Sequence, residues 1–97
     1  MATTILATVT AKPECTADVE IALRNMISVT RAEAGCISYQ LFRSDEQAGV
    51  FQLLESYADD AALASHQQSV HFAELVASLA EKLAGDIHIA RITALDA

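Results

Sequence analysis

Side chains able to move protons are concentrated in residues 55–72 of the sequence. This stretch contains Glu55, Tyr57 and two of the three histidines of the chain, His66 and His71. Imidazole has an unperturbed pKa of about 6.5, so it can take or give a proton near neutral pH. The stretch therefore predicts a site for acid–base chemistry, although it does not identify a substrate.

The two histidines lie where two predicted helices meet. Ser69 is a predicted N-cap, which puts His71 in the first turn of the following helix. The helix dipole there disfavours the charged imidazolium and favours a neutral base. His66 falls at the end of the preceding short helix. We hypothesise that His71 or His66 is the base; alternatively, each is a structural histidine at the helix junction.

Glu55 shares one face of a predicted strand with Phe51 and Leu53, because alternate side chains of a strand point to the same side. A carboxyl group on an apolar face is either the acid of a pocket or the partner of a cation. The available cations on neighbouring predicted strands are Arg43 and Arg91. Both interpretations of Glu55 remain open from the sequence.

Tyr39 and His88 lie on two other predicted strands. Tyr39 either bonds an oxygen atom of a substrate or is a core tyrosine with its hydroxyl group at the edge. His88 is predicted to be structural.

No metal or nucleotide site is predicted. His66 and His71 are five residues apart, which is not the i, i+4 spacing that places two ligands on one helical face. No glycine-rich phosphate loop is found in the sequence either, which disfavours a nucleotide or flavin cradle.

Hydrophobic patterning predicts the elements that position these residues. Strands are expected over residues 5–11, 36–43, 50–57 and 87–93, the middle two forming a hairpin. A first helix is expected from a Thr16 cap to about Ala34, with Gly35 as its C-terminal glycine. Asp59 is predicted to cap a short helix and Ser69 a longer one, which ends at Gly85.

The order β-α-β-β-α-β indicates an α+β, ferredoxin-like fold with a four-stranded antiparallel sheet and helices on one face. The strands carry apolar side chains on both faces, so the second face needs a cover. We expect an identical subunit to provide it, related by a two-fold axis, which predicts a homodimer.

The composition bounds the class of protein. Ninety-seven residues, 53% of them hydrophobic, suit one domain over residues 1–97. The net charge of −7 with only six Lys and Arg disfavours nucleic acid as a partner. No apolar run approaches the roughly 20 residues of a membrane span, and no signal peptide is recognised, so we expect a cytoplasmic protein. Cys15 and Cys36 are expected to be small packed thiols.

Several motifs, taken in order, resemble the antibiotic biosynthesis monooxygenase family of dimeric α/β-barrel proteins, which includes quinol monooxygenases. The resemblance covers nearly the whole chain. It rests on Ala11-Lys12-Pro13-Glu14, on Arg31-Ala32-Glu33-Ala34-Gly35-Cys36 with Tyr39, and on Glu55-Ser56-Tyr57-Ala58-Asp59 followed by Ala62-Leu63, His66, Ser69, His71 and Phe72.

This resemblance implies a pocket between sheet and helices, in which dioxygen oxidises a small aromatic quinol or phenol without metal, flavin or haem. A base must remove the phenolic proton, and an apolar pocket must shield the intermediate from water. The residues expected in catalysis are His71, His66, Glu55 and Tyr39. Those expected to bind the substrate are Tyr57, Phe51 and Phe72.

Two alternatives remain. One branch of the same superfamily isomerises a small, phosphorylated hydroxy-ketone, but such a substrate needs cations that this acidic chain largely lacks. The other alternative is a non-catalytic dimer that binds an aromatic ligand, since a fold alone does not establish an activity.

Overall fold

The computed structural model describes residues 2–96, which form one four-stranded antiparallel sheet with helices on one face. The strands are β1 (Thr3–Thr10), β2 (Cys36–Arg43), β3 (Val50–Tyr57) and β4 (His88–Ile92), in the spatial order β2-β3-β1-β4. The helices are α1 (Thr16–Arg31), α2 (Asp60–Gln67) and α3 (Val70–Leu79), and a short 3₁₀ turn at Pro13–Cys15 precedes α1. The predicted ferredoxin-like α+β architecture is confirmed.

The alternation of side chains along β1 and β3 decides which face of the sheet is covered. Odd-numbered residues of both strands are buried and even-numbered residues are half-buried. The two strands pair along their full length, with Ala7 opposite Leu53 and Leu6 opposite Leu54. The odd-numbered side chains therefore form the floor of the core, and the helices pack on them.

Helix α1 covers this floor with the predicted apolar stripe. Val19, Leu23, Met26 and Thr30 are buried at helical spacing, and Ile27 packs beside them. Thr30 Oγ1 is buried with no hydrogen-bond partner by distance and angle among the described residues. The stripe fixes the face of α1 that meets the sheet, and so it also fixes where the segment after α1 crosses the sheet edge.

Three predicted helix boundaries are wrong. Cys15, not Thr16, occupies the N-cap position of α1, and the Thr16 hydroxyl instead donates back to the carbonyl oxygen of Pro13 at 3.2 Å. Helix α1 ends at Arg31, well before Gly35. Helix α3 ends at Leu79, where Glu81 takes a positive φ of 64°, so Gly85 does not close it.

Gly35 has a different role from the predicted helix stop. A Cβ atom at this position would lie 2.4 Å from the Cβ atom of Ala62 in the first turn of α2. Real Cβ contacts are never this short, so the loop after α1 can approach α2 only because residue 35 is glycine. This close contact brings the end of α1 next to the helix that carries His66.

The even-numbered face of the sheet is not covered by any other element within residues 2–96. We call this surface the open face; it consists of Thr4, Leu6, Thr8, Thr10, Ser38, Gln40, Phe42, Val50, Gln52, Leu54, Ser56, His88, Ala90 and Ile92. Phe42 and Ile92 are 47% and 41% exposed. Apolar side chains in the middle of the face are flanked by hydroxyl and amide groups.

Candidate active site

A largely apolar cavity of about 90 Å³ lies between the sheet and the helices. The lining side chains are purely hydrocarbon except for four that carry polar groups, namely Tyr39, Glu55, His66 and Gln67. Val76 of α3 and Ile89 of β4 also line it and are about half exposed, which puts the rim of the cavity between these two elements. Few polar side chains could therefore act on a ligand bound in this cavity, and they lie close to one another.

His66 lies at the centre of a cluster of carboxyl and imidazole groups. Its Nδ1 atom is 2.8 Å from Oε2 of Glu33, and the same oxygen is 2.5 Å from Nε2 of His71. The other nitrogen of His66, Nε2, is 3.8 Å from Oε1 of Glu55, which is longer than a hydrogen bond. Glu33 therefore joins the two imidazoles, and Nε2 of His66 makes no hydrogen bond to another of the described residues.

Helix caps position the two histidines. Asp59 accepts a hydrogen bond from the backbone N–H of Ala62, and Ser69 accepts one from that of Phe72, so both predicted caps are confirmed. The Ser69 hydroxyl also donates to the carbonyl oxygen of His66 at 2.6 Å. This bond ties the end of α2 to the start of α3 and sets the distance between the histidines.

Aromatic rings enclose the imidazole of His66, which is only 2% exposed. The ring centroids of Tyr57 and Phe72 lie 5.2 and 5.3 Å from it, and those of His71 and Tyr39 lie 6.0 and 6.1 Å from it. Because these rings surround it, the imidazole has little room to change orientation. Its two nitrogens therefore keep distinct surroundings, one beside Glu33 and the other beside Glu55.

Glu55 is buried and bonded within its own strand. The Tyr57 hydroxyl donates to Oε1 of Glu55 at 2.6 Å, which is possible because residues two apart on a strand share a face. Burial raises the pKa of the Glu55 carboxyl, and the bond from Tyr57 opposes that rise only in part. Burial also raises the pKa values of the Tyr39 and Tyr57 hydroxyls, so both tyrosines remain neutral donors at physiological pH.

The alternative in which Glu55 pairs with an arginine is wrong. Arg91 instead bonds Asp60 at 2.6 Å, and Arg43 lies nearest Glu20, at 3.9 Å. The Thr3 hydroxyl and Arg91 together lower the pKa of the Asp60 carboxyl. Both arginines are therefore engaged at the surface, and Glu55 faces His66.

The structure brings together most of the predicted site residues. Tyr39, Glu55, His66 and Phe72 line the cavity. His71 does not line it but is joined through Glu33 to His66, which does. Tyr57 and Phe51 are buried and are not among the lining residues; Tyr57 contacts the site through its bond to Glu55 and its ring beside His66. The roles assigned to all seven residues stay predictions.

Glu33 was missed as a site residue, although it lies within one of the segments that carry the family resemblance. It comes from the turn after α1, more than thirty residues before either histidine. The sequence contains only an indirect indication of this role, because Glu33 is a charged residue two positions before Gly35. The hydrogen bonds of Glu33 show that it lies between the histidines, and the close approach of Gly35 to Ala62 is what allows the loop after α1 to come this near to α2.

Glu33, His66 and His71 are also the residues that could hold a metal ion. One ligand-type atom from each lies within 4.8 Å of the others. The five-residue spacing of the two histidines disfavours a metal site only as long as Glu33 is left out. However, ligands of a tetrahedral zinc ion are about 3.4 Å apart, given bonds of about 2.1 Å. The carboxylate oxygen lies closer than that to both nitrogens, so the group as it stands is hydrogen-bonded.

Glu55→Gln is expected to stabilise the folded chain at pH 7 by about 1 kcal/mol or more, because burial disfavours ionisation of the carboxyl group, whereas the glutamine amide is neutral and keeps an acceptor for Tyr57. The folded-state pKa of Glu55 lies above its ordinary value of 4.5. Between these two pKa values the folded chain holds a proton that the unfolded chain has lost. The contribution of Glu55 to stability is therefore present below pH 4.5 and is lost as the pH rises through the folded-state pKa.

In urea unfolding measurements, the free energy of unfolding of Glu55→Gln relative to the parent should therefore increase from pH 4.5 to pH 7. Glu74→Gln, an exposed change of the same kind on α3, is the matched control and should shift stability little at either pH. A Glu55→Gln protein that is less stable than the parent at pH 7 would contradict this account of the buried carboxyl.

By its fold, the chain is a ferredoxin-like α+β protein with a cavity between sheet and helices. Residues 2–78 match the family model described as antibiotic biosynthesis monooxygenase, and the chain belongs to this family. The resemblance inferred from the sequence motifs is thereby confirmed. No helix within residues 2–96 is long and apolar enough to cross a membrane.

Individual relatives agree with the family. The chain is 33% identical over 85 residues to "Putative monooxygenase Rv0793" of Mycobacterium tuberculosis, a match covering 88% of this chain and 83% of the relative. It is 30% identical over 80 residues to "Putative monooxygenase YcnE" of Bacillus subtilis, covering 82% and 84% of the two chains.

Solved structures show the same architecture. The structure of Rv0793 superposes with a TM-score of 0.93 over 100% of this chain and 98% of that chain, at 30% identity. The crystal structure of PA3566 from Pseudomonas aeruginosa gives a TM-score of 0.91 over 97% and 94%, at 33% identity.

Proposed function

We propose that this protein is a cofactor-independent monooxygenase that oxidises a small aromatic quinol or phenol with dioxygen, a histidine acting as base. The observation that carries the proposal is the cavity itself. Its apolar lining converges on Glu55 and His66, the arrangement needed to remove a phenolic proton in a place that excludes water. The family names of the relatives support oxygen chemistry.

The atoms of this reaction balance without an external reductant. A quinol and one dioxygen give a hydroxyquinone and one water, so one oxygen atom enters the ring and the other leaves as water. The quinol supplies all four electrons. The base takes the proton of a quinol hydroxyl, the anion passes an electron to dioxygen, and the protonated base returns its proton to the reduced oxygen. No net proton leaves the site.

The size of the cavity favours a single aromatic ring. An engineered apolar cavity of about 150 Å³ binds benzene, and the cavity here, about 90 Å³, is smaller. A one-ring quinol would enter with a modest outward movement of rim side chains such as Val76. A polycyclic phenol would require α3 itself to move away from the sheet.

The phosphorylated hydroxy-ketone alternative is disfavoured by the charge of the lining. Neither lysine nor arginine is found among the residues that line this cavity in the described part of the chain. A phosphate group would meet Glu55 and no compensating cation, which is unfavourable in an apolar site.

The proposed enzyme acts as a homodimer that packs through the open face. Face-to-face packing of sheets would cover Phe42, Leu54 and Ile92 of each subunit. The cavity lies on the opposite side of the sheet, so the partner would stiffen its floor without entering it.

Oxygen uptake with a panel of one-ring and fused-ring quinols tests the proposal. We expect one dioxygen to be consumed per one-ring quinol, with no effect of added catalase, because peroxide is not released. With ¹⁸O₂, the hydroxyquinone should carry one labelled atom. Uptake that halves in the presence of catalase would indicate an oxidase instead, and no uptake with any quinol would favour the non-catalytic binding module.

A pair of variants on α3 separates catalysis in the cavity from oxidation elsewhere. Val76→Trp places a large ring at the cavity rim and should reduce uptake at least about tenfold by blocking entry. Val70→Trp makes the same change at a residue that is 75% exposed and does not line the cavity. Equal rates for the two variants would place the reaction outside this cavity.

A further inference from the structure

Glu33 has no part in the proposed proton transfer, although its contact with His71 is the shortest polar contact described in the site. Its side chain is 17% exposed, and its Oε2 atom contacts Nδ1 of His66 and Nε2 of His71. Contacts of 2.8 and 2.5 Å between a carboxyl oxygen and an imidazole nitrogen each require a proton between the two atoms. In the contact with His66, Nδ1 is the donor if Glu33 is ionised.

We infer that Glu33 is the positioning residue of the site: it fixes His66 as the tautomer with Nδ1–H, so that Nε2 is the base, and His71 holds the Glu33 carboxylate in place. This inference rests on the proposed function for its catalytic meaning, but the tautomer itself is a property of the protein alone. It assigns the base to His66 and gives His71 a supporting role.

Burial and lining separate the roles of the two histidines. His66 is almost fully buried and lines the cavity. The side chain of His71 is 24% exposed and lines a different groove, between α1 and α3. A quinol in the cavity can therefore contact His66, whereas both Glu33 and His71 lie behind His66 and outside the lining.

The charges around His66 suit a base that must carry a proton for a time. Once Nε2 has taken a proton, the imidazolium lies between Glu33, bonded to Nδ1, and Glu55, 3.8 Å from Nε2. A carboxylate that orients an imidazole and stabilises its charged form is the arrangement of the serine-protease triad. The titratable groups facing His66 from the neighbouring elements are Glu33, Tyr39, Glu55, Tyr57 and His71.

The tautomer can be measured without substrate. In ¹⁵N NMR spectra of the wild-type protein at high pH, His66 should show a protonated Nδ1 and an unprotonated Nε2. Assignment of its signals follows from their loss in His66→Asn. A neutral His66 protonated at Nε2 would overturn the inference, whether or not the protein oxidises any quinol.

Kinetics test the charge of Glu33. Glu33→Gln should lower kcat by as much as about 10⁴-fold, the loss seen when the orienting acid of a triad is neutralised. Loss of the carboxylate removes stabilisation of the imidazolium. The acid limb of the pH profile, which is the fall of kcat/KM as the pH is lowered, should therefore move to lower pH. Glu74→Gln, an exposed neutralisation on α3, should leave both the rate and the limb unchanged.

The NMR measurement and the kinetic measurement test different claims, so their negative results have different meanings. No oxygen uptake by the parent protein would remove the proposed reaction, while the NMR result would still decide the tautomer. An active protein whose acid limb stays at the same pH in Glu33→Gln would show that Glu33 only supports the fold. His71→Asn should lower kcat less than Glu33→Gln, and the reverse order would assign the base to His71.

Discussion

His66→Asn is expected to lower the rate of quinol-dependent oxygen uptake by about 10²–10⁴-fold, the usual effect of removing a general base. The asparagine amide can occupy the position of Nδ1 and keep a hydrogen bond to Glu33, while nothing replaces Nε2. The change therefore removes the atom that would take the phenolic proton and retains the contact that anchors the end of α2. The loss should fall on kcat, because the base acts in the chemical step.

His88→Asn is the matched control for this loss. His88 is exposed on β4 and belongs to the open face, on the far side of the sheet from the cavity. Asparagine keeps a polar side chain at this position of the proposed dimer face, so the oxygen uptake of His88→Asn should equal that of the parent. Thermal unfolding of both variants shows whether each is folded at the assay temperature. A folded His66→Asn protein with the parental rate would remove His66 from the mechanism.

The strands could be predicted well because each has a local signature. The middle strands were predicted at residues 36–43 and 50–57 and are found with those bounds. Their side chains alternate between two bulky faces, and the short polar loop over residues 44–49 favours a hairpin. Asp59 and Ser69 could be identified as caps for a similar reason, because a short polar side chain just before a helical stripe can accept a hydrogen bond from a free backbone N–H group of the first turn.

The helix ends could not be predicted because tertiary contacts decide them. Gly35 looked like a helix stop, yet its small size serves the approach of Ala62. Leu83 continues the helical stripe in the sequence, but the chain turns at Glu81 so that residue 83 can bridge to Ala11 of the sheet. A contact with a distant strand outweighs a helix propensity of a fraction of a kcal/mol per residue.

The residues of the candidate site could be predicted from the sequence better than the contacts between them. Spacing along the chain suggested that His66 and His71 are near each other, because two caps separate their helices by a short turn. It could not show that Glu33 lies between them, since that contact depends on how α1 ends and on the Gly35 loop. Nor could it show that Tyr57 bonds Glu55, a pairing that neither residue type requires.

Leu54→Glu is expected to convert the proposed dimer into a monomer. Leu54 is at the middle of the open face, directly opposite Leu6 on β1 and Gln40 on β2. The two-fold symmetry of a dimer places two introduced carboxylates in the interface. Burying an uncompensated charge costs about 3 kcal/mol or more, so two of them should raise the dissociation constant by about 10⁴-fold. Sedimentation velocity at micromolar concentration would then show one chain in place of two.

Val70→Glu adds the same charge at an exposed valine of α3, away from the open face, and should leave the parental mass unchanged. In the single chain Leu54 is only half-buried, so Leu54→Glu should still fold, which far-ultraviolet circular dichroism can verify. A Leu54→Glu protein that sediments as a dimer would show that the subunits associate elsewhere. A parent that sediments as a monomer would mean that the apolar groups of the open face face water, and that the floor of the cavity is held by one sheet alone.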